Sequence, residues 1–278
     1  MQDAISEQRP ALLDLLTLEE IDRDLYRAST LFADPYGLYG GQVAAQALRA
    51  ATLTVEGEQQ AHSLHGYFLR RGNPLRPVVF QVHRDRDGRS YAARRVIALQ
   101  DGEVIFNMAA SFHRCEDGPD VQAASMPTGP APAQLRDFGL DTRTVGIDFR
   151  DARADDLARP SRFWARSLEP VGDDQHLHAC VLTYVSDMFS GLFDMAELDE
   201  STALTSLDHA IWFYRPVNLN DWVLTDLVGE SLSDGRGHYF GRMFSADGTL
   251  VAGLAQESLF RKVEGHRLPP VATRQQAP

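Results

Sequence analysis

Residues 183–193 read TYVSDMFSGLF, an apolar run interrupted by Ser186 and Asp187. An ionised carboxylate buried without partners loses solvation worth several kcal/mol. Asp187 must therefore face water, be paired locally, or be kept for chemistry. A carboxylate kept within reach of solvent suits general-base activation of water. A second anomaly is Gln256, which follows LVAGLA in a strand that should face a core, where an amide must be hydrogen-bonded. Ser206 stands at a strand start, a place where a hydroxyl commonly bonds to backbone. Asp208-His209 looks like half of a catalytic pair, but adjacent strand residues point to opposite faces, so Asp208 is expected only to support the site.

Other chemistries find no pattern to carry them. The chain has no Gly-x-Ser-x-Gly elbow, His-Glu-x-x-His zinc motif, P-loop or dinucleotide fingerprint. His62 with His65 and His176 with His178 are read as structural or surface histidines rather than metal ligands, because Asp208 repeats the strand register of His65. Neither a metal nor a cofactor is expected.

The elements that must position these residues recur once along the chain. Residues 62–114 and 205–261 each open on Ser-Leu and an aromatic-rich strand. Each then runs through a longer strand to Asp-Gly-Arg, and through a further strand, an Asp-Gly turn and a closing strand ending in Arg. Asp87-Gly88, Asp101-Gly102, Asp234-Gly235 and Asp247-Gly248 predict primed hairpin turns, since Gly accepts the positive φ that such turns demand. Each copy reads as an antiparallel meander. Upstream of each lies a helix candidate. The first is GGQVAAQALRAATL, and the second is DDQHLHACVLTYVSD, with Asp173 or Asp174 at its start. A helix followed by an antiparallel sheet, twice, predicts two α+β units whose sheets wrap their helices. Residues 115–160, dense in Pro, Gly, Asp and Ala, read as a linker.

Bulk properties narrow the partners. The composition, 44% apolar and 24% charged, is ordinary for a globular chain. A net charge of -12 argues against nucleic acid while leaving room for a local basic patch that binds a small anion. Only Cys115 and Cys180 are present, so a disulfide framework is not indicated and a reducing cytoplasm is expected. No stretch approaches the roughly 18 apolar residues of a membrane helix, so no membrane association is expected.

The segments GLYGGQVAAQAL, HSLHGYFLRRGNP, DGRSYAARRV, IFNMAASF, YVSD, LDHAIWFYRP and AQESLFR, in this order and spacing, resemble the acyl-CoA thioesterase II family over nearly the whole chain. The resemblance implies an α+β double hotdog: an N-terminal unit at 1–115, a linker at 116–160 and a C-terminal unit at 161–278 that carries a catalytic trio. It also implies hydrolysis of acyl-CoA to fatty acid and coenzyme A, within fatty acid and lipid metabolism, by a water molecule held between Asp, Ser or Thr, and Gln. Carried over, these are Asp187, Ser206 and Gln256. Ser206 replaces the Thr of some relatives and keeps the hydroxyl. Ser258 after Gln-Glu and Arg71 in FLRRGNP depart from the commoner Gly and Pro, which bears on substrate fit more than on chemistry.

Aligning the two copies on Ser-Leu and on their terminal Arg matches Ser206 to Ser63 and Gln256 to Ala109, and the first helix holds no acid. The full trio is thus expected in the second copy only. Gly40 and Gly41, at the start of a helix whose first amides lack intrahelical partners, are oxyanion candidates. Arg70, Arg71, Arg89 and Arg94 are candidate phosphate ligands. The acyl group should enter an apolar channel, each buried methylene contributing about 0.8 kcal/mol, with chain length unspecified. A rival reading is a catalytically weak acyl-CoA binding or sensing protein. A hotdog hydratase is disfavoured because the Asp and His of that branch are not recognisable. Open sheet edges predict a homo-oligomer, either a dimer or a tetramer.

Overall fold

The computed structural model describes residues 11–29, 37–135, 146–152, 160–195 and 202–262. A short helix α1 (Leu12–Leu15) leads into a hairpin of β1 (Glu19–Asp22) and β2 (Leu25–Ala28). Helix α2 (Gly40–Thr52) follows, and then the meander β3 (Gln59–Phe68), β4 (Val78–Asp87), β5 (Tyr91–Gln100) and β6 (Glu103–Arg114). The second half contains β7 (Ile147–Asp151), β8 (Arg162–Ser167) and helix α3 (Gln175–Ser186). Its sheet continues with β9 (Thr202–Ser206), β10 (Asp208–Phe213), β11 (Val223–Ser233), β12 (Arg236–Ser245) and β13 (Leu250–Lys262). All the strands form one antiparallel sheet in the order β1-β2-β4-β5-β6-β3-β10-β13-β12-β11-β8-β7, with β9 paired to β13. The halves join where β3 pairs with β10, Leu64 opposite Ile211.

Helix α2 is buried on nearly every side, from Gly41 to Leu48, as an Ala-rich helix enclosed by a sheet must be. It packs against α3 and against β3 to β6. The two helices run antiparallel: the Tyr39 hydroxyl donates to Tyr184 O at 2.7 Å, and Arg49 meets Asp174 at 3.8 Å at the other end. Asp174 is also the cap of α3, its carboxylate accepting from the His176 amide at 2.9 Å.

Asp101-Gly102 and Asp234-Gly235 have positive φ at both positions, the primed turns expected. Asp247-Gly248 has it only at Gly248, and Gly88 has none because three residues separate β4 from β5 there. The segment read as a linker is not merely a connector. It contributes β7 to the sheet edge, and Gln122 bonds Leu250 N at 2.8 Å and Gly248 O at 3.0 Å, strapping the segment to the second half. The alternation Ile147-Asp148-Phe149-Arg150-Asp151 is itself a strand signal, but it is short and set among Pro-, Gly- and Asp-rich flanks. The β1–β2 hairpin ahead of α2 was also not foreseen. Among the described residues no helix is long and apolar enough to cross a membrane.

Candidate active site

Asp187 caps the C-terminus of α3, Ser206 ends β9, and Gln256 lies in β13 between β10 and β12. The fold brings the three together. Gln256 Nε2 donates to Asp187 Oδ1 at 2.9 Å and to Ser206 Oγ at 2.7 Å, while Ser206 Oγ lies 3.4 Å from Asp187 Oδ1. Asp187 and Ser206 are half-buried, whereas Gln256 is 3% exposed. The acid and the hydroxyl thus form the accessible side of the cluster, with the amide behind them.

Asp208 lies beside this cluster on the edge of β10. Its carboxylate accepts from the Glu257 amide at 2.7 Å, pinning the break between β9 and β10 beside Gln256. Its neighbour points the other way, into the core, and there the sequence reading fell short. His209 is buried, its Nδ1 bonded to Gln256 Oε1 and its Nε2 2.8 Å from Ser186 Oγ, which in turn reaches Thr183 O at 2.8 Å. A histidine at the inward register of β10, with Ile211 two residues on and fully buried, was the signal available. Burial holds the His209 pKa below its ordinary 6.5, against the raising influence of Asp187 and of the Gln256 bond. Burial, and then the Asp187 charge, raise the phenol of Tyr239, which faces Gln256 across β12–β13 and stays neutral.

The first half reaches into the site through α2. A Cβ built on Gly40 would lie 2.7 Å from Asp187 Oδ2 and 3.0 Å from the Phe68 ring, so the helix start abuts the carboxylate. The first intrahelical bond runs from Val43 N to Tyr39 O, leaving the Gly40, Gly41 and Gln42 amides without intrahelical partners. Gly41 instead packs against Tyr39 and Tyr184 O.

The hydrogen-bond landmarks correct the internal alignment. Leu69 N and Arg70 N both bond Ile105 O, just as Tyr214 N and Arg215 N both bond Val251 O. The strand irregularity between Ala61 and Ser63 recurs at Leu207, between β9 and β10. Ser206 therefore corresponds to Ala61, not Ser63; His209 corresponds to Leu64; and Gln256 corresponds to Ala110, not Ala109. All three counterparts are apolar and buried.

The arginines divide. Arg94 is not a free phosphate ligand: it is 1% exposed, and its five N–H donors are spent on Thr54 Oγ1 and O, Arg86 O, Ala93 O and Asp87. Arg89 is exposed but sits beside the Gln59 end of β3, up to roughly 30 Å along the strand from Phe68. Arg70 and Arg71 directly follow Phe68 and Leu69 and are exposed, Arg70 bonded to Val104 O at 2.8 Å and Glu103 at 2.9 Å. His62 bonds Ser111 at 2.8 Å and His178 bonds Gly172 O at 2.9 Å, as structural histidines do.

A helix-and-meander unit repeated in tandem, with one sheet running through both copies, defines a double-hotdog protein. Residues 32–113 match the acyl-CoA thioesterase N-terminal domain and residues 115–260 the acyl-CoA thioesterase C-terminal domain. Human acyl-coenzyme A thioesterase 8 is 33% identical over 89% of this chain and 88% of its own length. Acyl-CoA thioesterase 2 of Haemophilus influenzae is 30% identical over 90% and 96%. The crystal structure of an acyl-CoA thioesterase II, TesB2, from Mycobacterium marinum superposes with a TM-score of 0.77 at 38% identity, covering 92% of this chain and 99% of that one. The chain belongs to the acyl-CoA thioesterase II family, and is an enzyme of the thioester hydrolase class.

Proposed function

We propose that the protein hydrolyses acyl-CoA thioesters by direct attack of a water molecule, with Asp187 as general base and Ser206 and Gln256 fixing the reacting geometry. The observation that carries this reading is the amide of Gln256 donating at once to the acid and to the hydroxyl. That bond pair holds Asp187 and Ser206 close enough to share one solvent molecule, whose orientational freedom is then lost before reaction. Asp187 takes a proton as the water oxygen bonds to the thioester carbon. The tetrahedral oxyanion then collapses, the C–S bond breaks, and the proton passes to the departing thiolate. No covalent enzyme intermediate is needed.

The oxyanion requires a donor, and the unpaired amides at the start of α2 supply one, Gly40 being the nearest to Asp187. The catalytic pocket then spans both halves: the first contributes the helix start, the second the trio. Arg70 and Arg71 are exposed and follow Phe68, whose ring lies against the start of α2, and are suited to the phosphates of coenzyme A.

The test is release of thiol from purified protein given acyl-CoA substrates of several lengths, read with a disulfide reagent. Asp187→Asn should lower turnover by about 10²- to 10⁴-fold without loss of folding. Binding of acyl-CoA with no thiol above background at any length would instead make the protein an acyl-CoA binding or sensing module.

A further inference from the structure

Behind the trio lies a buried polar chain that the proposed chemistry does not use directly. It runs from Ser186, whose hydroxyl lies 2.8 Å from both Thr183 O and His209 Nε2, through His209 to Gln256, with Ser186 fully buried and His209 1% exposed. A glutamine amide can be turned either way round. Here the Asp187 carboxylate, which can only accept, requires the NH2 end, and both Nε2 protons are spent on Asp187 and Ser206. The carbonyl end must therefore face His209, whose Nδ1 must carry the proton given to Gln256 Oε1. With the ring neutral, Nε2 is an acceptor and takes the single Ser186 hydroxyl proton, which turns to it rather than to Thr183 O at the same 2.8 Å.

Turned over, Gln256 would set a carbonyl against the carboxylate and offer Ser206 an acceptor in place of a donor, drawing its hydroxyl proton away from Asp187. We infer that His209, braced by Ser186, is a positioning residue that locks the amide of Gln256 in the one orientation that assembles the trio. A second, independent observation agrees. In the first half the counterpart of His209 is Leu64 and that of Gln256 is Ala110. Histidine fills this inward position where there is an amide to orient, and leucine fills it where there is none.

This inference rests on the trio reading above, and its test separates the two. His209→Leu installs the side chain that the same fold already buries in its other half. It should lower kcat by about 10- to 10²-fold with KM nearly unchanged. His209→Asn keeps an N–H near the place of Nδ1 and should return kcat to within a few fold of wild type. In a Gln256→Ala background, His209→Leu should cost nothing more.

If Asp187→Asn abolishes turnover while His209→Leu keeps kcat within twofold, or multiplies the Gln256→Ala loss, the positioning role is wrong and the trio stands. If Asp187→Asn itself turns over normally, the trio reading has failed. Should the Leu variant not fold, histidine-labelled wild-type protein decides by ¹⁵N NMR. The neutral Nδ1–H tautomer at His209 supports the role, and the Nε2–H tautomer overturns it.

Discussion

Replacing Gly40 with Ala tests the claim that the first half of the chain completes the pocket. The new methyl would sit 2.7 Å from Asp187 Oδ2 and 3.0 Å from the Phe68 ring, against an ordinary carbon contact of about 3.5 Å or more. Something must move by about half an ångström to one ångström. Phe68 is backed by Phe106, ring centroids 4.8 Å apart, and the helix start is tied to α3 by the Tyr39–Tyr184 bond. The carboxylate is the freer group, and its displacement pulls against Gln256 and Ser206. A misplacement of about 1 Å at a reacting group costs on the order of 10²-fold, or about 2.7 kcal/mol of barrier. Stability should move little, because Gly40 is not at positive φ and Ala favours a helix by up to about 1 kcal/mol over Gly. The assay is kcat and KM on an acyl-CoA substrate beside a urea melt of the same preparation. A variant with unchanged kcat would refute the placement of α2 against Asp187, and one that fails to fold would show that Gly40 is needed for packing rather than for geometry.

Other consequences follow from the same contacts. Ser206→Ala and Gln256→Ala should each lower kcat strongly, and the double variant should be little worse than either, because groups that act as a unit do not contribute separately; independent losses in the kinetics would argue against a shared water. Arg94→Met should destabilise the fold by about 2 kcal/mol in urea, since it orphans the buried acceptors Thr54 O and Thr54 Oγ1 and removes bonds to the partly buried Arg86 O and Ala93 O, with no change in KM for acyl-CoA. Stability should also fall in acid. The pKa of His209 is lowered by burial, so the unfolded chain binds the extra proton; the stabilisation is complete above about pH 6.5 and is lost as pH drops toward the lower folded value. His62 and His176 are shifted in the same direction by burial, so the contribution of His209 is read from the difference between wild type and His209→Leu in urea melts at pH 7.5 and 5.5, with at most about 1.4 kcal/mol per pH unit from one group.

The helices and the meanders were legible in the sequence because each rests on short-range physics. Asp173 or Asp174 before an apolar stripe predicts the start of α3, which Asp174 caps, and Asp101-Gly102 and Asp234-Gly235 predict their turns by a backbone preference. The convergence of Asp187, Ser206 and Gln256 came from the family resemblance, and no spacing along the chain encodes it, since their closeness depends on how β9 and β10 meet β13. Strand register was the weakest part. The two Ser-Leu dipeptides are not equivalent, since Ser63-Leu64 stands in the place of Asp208-His209 and Ser206-Leu207 in that of Ala61-His62, so an alignment anchored on them slips along the strand. That shift mattered, because it concealed that His209 and Leu64 occupy one place in two copies.

With the register corrected, the asymmetry between the halves has a physical reading. The antiparallel helix pair offers two similar corners, each made from the end of one helix and the start of the other. One holds Gly40, Asp187, Ser206, His209 and Gln256; the other holds the Arg49–Asp174 ion pair, with Ala61, Leu64 and Ala110 at the positions of the polar groups. A buried amide and imidazole stabilise nothing unless every donor and acceptor is matched, so a corner without its acid gains by becoming apolar. The loss is thus expected to be concerted: once the carboxylate goes, Gln256-like and His209-like residues at that corner become liabilities and are replaced together. The two halves thus present different groups at the Gly40 corner, the first the start of α2 and the second Asp187, Ser206, His209 and Gln256.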